Sequence, residues 1–338
     1  SLRSIKTVVY LLLSFGLLAC ATPRVQETSD TTQVPMLTPV AAVMADGYRL
    51  PYSVWQPAGE PMAIVVGLHG FNDYRQAFAA PAEYLAANGV ITYAYDQRGF
   101  GETEQRGIWP GADVLQQDAD TMVRLLCERY PGIPLYLVGE SMGGAVVMDL
   151  IQGAEIPCLN GIILVAPAVW GWQTMPVWQR SALWLAAHTT PASTLTGDGL
   201  DITPSDNTEM LRALGRDPLV IKATRIDTMF GLTTLMESAL QSSQQLTQPA
   251  LILYGENDDI IPPNSMCEMI EGLPDPKAAR WRMTLYPEGY HMLTRDLQAT
   301  VVLQDMLAWI RDPSVRRLPS DLEVNTATPR LRAMCEAG

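Results

Sequence analysis

Residues 135–144 read Leu135-Tyr136-Leu137-Val138-Gly139-Glu140-Ser141-Met142-Gly143-Gly144. The first four are apolar or aromatic without alternation, the pattern of a parallel strand covered on both faces. From Gly143 the run Gly143-Gly144-Ala145-Val146-Val147-Met148 reads as the start of a helix. A strand that gives way to a helix within so few residues must turn tightly, and the turn exposes the hydroxyl of the serine at its apex. The flanking glycines are required because side chains would clash there. The helix N-terminus behind the serine favours developing negative charge. A bare G-x-S-x-G is weak evidence; the strand before it and the helix after it make Ser141 a candidate nucleophile.

Similar apolar runs lie on both sides. Strands are predicted at Ala63–Leu68, Val90–Tyr95, Leu135–Val138, Ile162–Val165, Ala250–Tyr254 and Trp281–Tyr286. Helical patterns fall near 75–88, 112–130, 142–153 and 297–311. Strand–helix–strand succession implies right-handed crossovers and a mostly parallel, doubly wound α/β sheet. Ahead of it, Val40–Met44 and Tyr48–Trp55 flank Ala45-Asp46-Gly47, a hairpin signal. Between Ala168 and about Gln245 no run resembles the sheet strands. Trp170, Trp172, Trp178 and Trp184, a polar loop and two helical patterns stand there instead. This is an inserted, mainly helical cap, whose tryptophans either pack beneath it or meet an acyl chain or lipid.

Serine needs a base. There are three histidines, His69, His188 and His291. His291 follows the Trp281–Tyr286 run and Pro287-Glu288-Gly289-Tyr290, where a loop at the carboxyl end of the last strand can reach the elbow. His188 falls in the cap. His69 precedes Ser141 and is expected to shape its loop. An orienting carboxylate is also required; Glu256, Asp258 and Asp259 all follow the Ala250–Tyr254 run. Two amides should stabilise a tetrahedral oxyanion: Met142, next to the serine, and Phe71, in Leu68-His69-Gly70-Phe71-Asn72.

The segments LHGFND, YAYDQRGFGET, LVGESMGG, YGENDDIIPP and EGYHMLTRD resemble the monoglyceride lipase and lysophospholipase branch of the α/β hydrolases, also grouped with the serine aminopeptidase S33 family. The resemblance runs from about residue 40 to 311. It implies the α/β-hydrolase fold, a Ser–His–Asp triad and no cofactor. Its G-x-x-D-x-[IV]-[IV]-P pattern selects Asp258 over Asp259 and Glu256. Asp96, Arg98, Gly99 and Gly101 match the family's D-x-R-G-x-G turn, a scaffold element; Glu102-Thr103 stands where the family usually has serine. The cap matches no member well enough to transfer a substrate.

Before the fold, Arg3 and Lys6 precede an apolar stretch from Val8 to Ala19, short for a membrane span. Leu17-Leu18-Ala19-Cys20 resembles a bacterial lipobox. That implies cleavage before Cys20, lipidation of its thiol and, with Ala21 following, sorting to the outer membrane; the alternative is a plain signal peptide cut nearby. The expected organisation is a signal peptide at 1–19, a flexible tether at 20–38, a hydrolase core at 39–168 and 246–312, a cap at 169–245 and a tail at 313–338, mobile or draped on the surface. Cys127, Cys158, Cys267 and Cys335 show no diagnostic spacing and no zinc pattern. Cys127, within a helical pattern, reads as a buried free thiol. No metal site is expected.

The formal charge of −13 and the absence of a long basic run argue against nucleic acid. The expected function is hydrolysis of a carboxylic ester, with a monoacyl lipid such as a monoglyceride or lysophospholipid as substrate and a lipid anchor on Cys20 holding the enzyme at a membrane. Peptidase, thioesterase and acyltransferase use the same triad. An aminopeptidase would use cap acids such as Glu209, Asp217 or Asp227 to hold an amine. A non-catalytic binding lipoprotein on this scaffold is the remaining alternative.

Overall fold

The computed structural model describes residues 21–153, 155–276 and 279–337. Its frame is a ten-stranded sheet. In chain order the strands are β1 (Met36–Leu37), β2 (Ala41–Val43), β3 (Arg49–Trp55), β4 (Ala63–Leu68), β5 (Val90–Tyr95), β6 (Leu135–Glu140), β7 (Leu159–Val165), β10 (Ala250–Gly255), β11 (Trp281–Tyr286) and β12 (Glu323–Val324). Spatially they run β1-β2-β3-β5-β4-β6-β7-β10-β11-β12. From β5 through β11 every pair is parallel. The three leading strands and β12 are antiparallel edges. Central strands β4, β5, β6 and β10 are buried at every position. That burial explains why their sequence is continuously apolar instead of alternating.

Helices α1 (Ala79–Ala87), α2 (Ala112–Arg129), α3 (Met142–Gly153), α7 (Pro263–Gly272) and α8 (Ala299–Arg311) cover the two faces. The chain leaves β4 for β5 on one side and returns to place β6 on the other. The carboxyl ends of β4 and β6 therefore border a switch point, where open α/β sheets bind ligands.

Between β7 and β10 the chain forms α4 (Val177–Thr189), α5 (Thr208–Arg216) and α6 (Ile226–Ser242), and no residue there joins the main sheet. This region also holds a small antiparallel ribbon of β8 (Thr194–Thr196) and β9 (Ala223–Arg225), too short to register as sheet strands in the sequence.

Three expectations are corrected. Residues 21–38 are not a free tether: Gln26 is buried, its amide donates to the Trp109 carbonyl at 2.8 Å, and Met36–Leu37 pairs with β2. The residues from Pro313 on are built into the fold, because β12 extends the sheet and α9 (Pro329–Glu336) follows it. Cys127 is not a free thiol: it forms a disulfide with Cys158, and Cys267 forms one with Cys335. The proposed signal peptide and Cys20 lie outside the described residues.

Candidate active site

Ser141 sits between the end of β6 and the first residue of α3 with φ of 53°. Serine adopts this left-handed region only when its surroundings hold it there. Here its amide donates to the Val165 carbonyl at 2.9 Å, and its carbonyl accepts from Ala168 at 2.9 Å and Ala145 at 3.1 Å. Gly143 is sterically obligatory, since a Cβ there would lie 2.1 Å from the Leu68 carbonyl oxygen. The elbow thus rests directly on the end of β4. A Cβ on Gly70 would lie 3.4 Å from that of Ser141, so the loop after β4 runs beside the serine.

His291 and Asp258 reach the same end of the sheet on the loops after β11 and β10. These loops touch backbone to backbone. Asn257 donates to the Gly289 carbonyl at 2.9 Å, and a Cβ on Gly255 would lie 2.4 Å from Gly289. Asp258 Oδ2 stands 2.8 Å from His291 Nδ1, while Oδ1 accepts the amides of Ile260 at 2.8 Å and Ile261 at 2.9 Å. Both side chains are buried. Burial pushes the His291 imidazole toward its neutral form, but the charge and hydrogen bond of Asp258 outweigh it and raise the pKa above the ordinary histidine value. Asp259 takes a different role, accepting from the cap amide of Thr203 at 3.3 Å. Glu256 pairs with Arg330 of α9 at 2.8 Å.

His69 is locked away from proton transfer. Its Nδ1 donates to the Gly70 carbonyl at 2.8 Å, and Nε2 accepts the Gln97 amide at 2.9 Å. That pattern fixes the neutral tautomer, and burial lowers its pKa. His188 lies in α4, stacked on Trp184 at 4.3 Å. Phe71 stands in the loop after β4, where its ring packs edge-on against Phe100. Met142 opens α3. Among the described residues no cluster of His, Cys, Asp and Glu could hold a metal.

A family model described as serine aminopeptidase S33 matches residues 59–298, well over half of the chain. The chain belongs to the serine aminopeptidase S33 family. Its curated relatives include a monoacylglycerol lipase of Mycolicibacterium smegmatis, 26% identical over 78% of this chain and 93% of that one. The monoglyceride lipase of Mus musculus is 26% identical over 84% of this chain and 95% of its own. Among solved structures, a soluble variant of the Saccharomyces cerevisiae monoglyceride lipase in complex with a substrate analogue superposes with a TM-score of 0.67. It covers 86% of this chain and 98% of that one at 23% identity, and supports the fold.

This S33 chain also carries a buried charge network that the sequence reading missed. Arg295, four residues after His291, donates to Asp73 Oδ2 and to Glu140 Oε1, each at 2.9 Å. Asp73 follows Phe71 in its loop, and Glu140 precedes Ser141. One guanidinium therefore joins the loop after β4, the elbow and the His291 loop. The signal was present in the sequence as charges inside otherwise apolar motifs, but their pairing needs the fold. The cap is tied to the same loops. Met292 donates to the Pro204 carbonyl at 3.0 Å, Ser205 Oγ to Asp296 at 2.5 Å, and Ile221 to the Asn72 carbonyl at 2.9 Å.

Proposed function

We propose that Ser141, His291 and Asp258 form the catalytic triad of a carboxylic ester hydrolase whose substrate is a monoacyl lipid, a monoglyceride or lysophospholipid. The observation that carries this is the buried His291–Asp258 pair at 2.8 Å, brought to the sheet edge that bears the strained Ser141 elbow. Ser141 Oγ attacks the ester carbonyl as His291 Nε2 takes its proton. Asp258 holds the ring with Nδ1–H inward and stabilises the imidazolium. The amides of Phe71 and Met142 receive the oxyanion. Collapse expels the alcohol with the proton from His291, and water then repeats the sequence to release the fatty acid and free Ser141.

The monoglyceride lipases among the relatives support the substrate class, as does the apolar face of α4, where Trp178 and Leu185 are exposed. An amine-binding role for the cap acids is poorly supported. Asp227 is buried on Arg225 and the Arg24 amide, and Asp217 accepts from Tyr74 Oη at 2.6 Å. Glu209 is exposed on α5. We further propose that Cys20 is acylated and that the enzyme is held at the bacterial outer membrane by that anchor.

The test is hydrolysis of 1-monoacylglycerol, lysophosphatidylcholine and an aminoacyl anilide by wild type and Ser141→Ala. The expected result is ester turnover that falls by about three orders of magnitude or more in the variant. Anilide cleavage without ester cleavage would replace the lipase reading with a peptidase. Ester turnover that survives in Ser141→Ala would remove Ser141 from its role.

A further inference from the structure

Residues 21–26 cross the cap. The Ala21 amide donates to the His188 carbonyl at 2.9 Å, in the last turn of α4. Three residues on, the Arg24 amide donates to Asp227 Oδ2 at 3.0 Å, in the first turn of α6. The buried Gln26 then binds the core, with Nε2 on the Ile108 carbonyl at 2.9 Å. Residues 21–26 are a strap across two of the three cap helices, α4 and α6, with Ala21 bound at the carboxyl end of α4.

That helix has an unusual surface. Val177, Trp178, Trp184 and Leu185 are each more than half exposed, and Ala187 is its buried residue. Val177 and Trp184, and Trp178 and Leu185, are each seven residues apart, so the four form two adjacent rows on one side of the helix. The ring of Trp184 stacks on His188, the residue that receives Ala21. The stripe therefore runs to the place where Ala21 is bound. Charge agrees with apolarity. Although the chain carries a net −13, no Asp or Glu occurs between Glu155 and Asp198. An anionic lipid surface would repel most of this protein but not this face.

We infer that the N-terminal strap and the apolar face of α4 form one bilayer-contacting surface, so that an acyl anchor at residue 20 lays the cap on the lipid leaflet. The inference rests on the reading of Cys20 as acylated. Ala21, the residue that follows Cys20 in the sequence, is held at the end of the stripe. An acyl anchor fixes attachment but not orientation, and an apolar face beside it adds buried area on one side. The strap makes the two coincide and turns the cap, with the site beneath it, toward the lipid.

The experiment uses the full chain purified from membranes, with Ser181→Cys on α4 or Glu60→Cys on the loop at the opposite end of the sheet. Each carries an environment-sensitive fluorophore. The protein is reconstituted into phosphatidylethanolamine–phosphatidylglycerol vesicles containing doxyl-labelled lipid. Doxyl lipid should quench the residue 181 label at least threefold more than the residue 60 label, and Val177→Ser with Leu185→Ser should abolish the difference. Intact mass of the N-terminal peptide reports acylation separately. If Cys20 is bare, the same proteins are tethered to a chelating lipid through a histidine tag at the N-terminus or at the C-terminus. Stronger residue 181 quenching from the N-terminal tether then upholds the surface without the natural anchor. Equal quenching at 181 and 60, or equal quenching from either tether, overturns it.

Discussion

At the scale of single residues, the site is a balance between burial and charge. His291 would be hard to protonate in so enclosed a place, and Asp258 reverses that. The sign has two consequences. As the proposed base His291 must be neutral to act, so kcat/KM should rise with pH through a value above the ordinary histidine pKa of about 6.5. The stabilisation that protonated His291 gains from Asp258 is full below the unfolded value and is lost as pH rises through the raised folded one. Asp258→Asn removes the carboxylate and leaves burial. The variant should lose about 10⁴ in kcat, and its residual activity should titrate at lower pH. A pH–rate profile of both proteins decides this; an unchanged apparent pKa would separate Asp258 from His291. Arg295 joins three loops at the same scale. Arg295→Leu leaves Asp73 and Glu140 as uncompensated buried carboxylates, at a cost of about 3–5 kcal/mol. Thermal denaturation should show that loss, with Arg295→Lys recovering part of it.

At the scale of elements, what the sequence could disclose depended on whether an element's own residues carry its reason. The core strands were legible because burial on both faces leaves a local record, a continuous apolar run. The elbow was legible because the turn needs its glycines at fixed positions. The strap, β12 and the disulfides were not, because their reasons lie elsewhere in the chain. Gln26 is held through carbonyls of the loop at 105–109, which composition does not reveal. Strand β12 is two residues long and exists by pairing with β11. The cysteines lie 31 and 68 residues apart, spacings that say nothing about distance in space. The Cys267–Cys335 bridge fastens α9 to α7. By the chain-entropy estimate, a loop of that length stabilises by about 4 kcal/mol. Cys267→Ser with Cys335→Ser should therefore lower the melting temperature by several degrees and expose the chain near Arg330 to trypsin. Ester turnover should persist, since the loops of the proposed triad have their own contacts. Calorimetry with limited proteolysis checks both parts, and protection equal to wild type would show that β12 alone holds the C-terminal segment.

For the molecule as a whole, three of the places that join the cap to the core matter here. Two border the site: residues 203–207 against the His291 loop, and residues 217–224 against the loop after β4. The third lies away from it, where α6 packs on α3. There Asp149 of α3 accepts from Ser238 of α6 at 2.9 Å, and from Gln116 of α2 and Gln152 at 3.2 Å each. These donors are neutral. Burial dominates, and it raises the Asp149 carboxyl to about 6 despite the Ser238 hydrogen bond. A carboxyl raised on folding binds its proton more tightly in the native state than in the unfolded one. Stability should therefore fall as pH rises from about 4 to about 6 and stay reduced above that. Asn at this position keeps an acceptor for the incoming donors and carries no charge. Asp149→Asn is expected to raise the melting temperature at pH 8 and to leave it nearly unchanged at pH 4, with the two curves parting between about pH 4 and pH 6. Melting temperatures of both proteins across that range test it. Equal curves throughout would mean that the ionised carboxylate is as well solvated at the cap–core seam as in the unfolded chain.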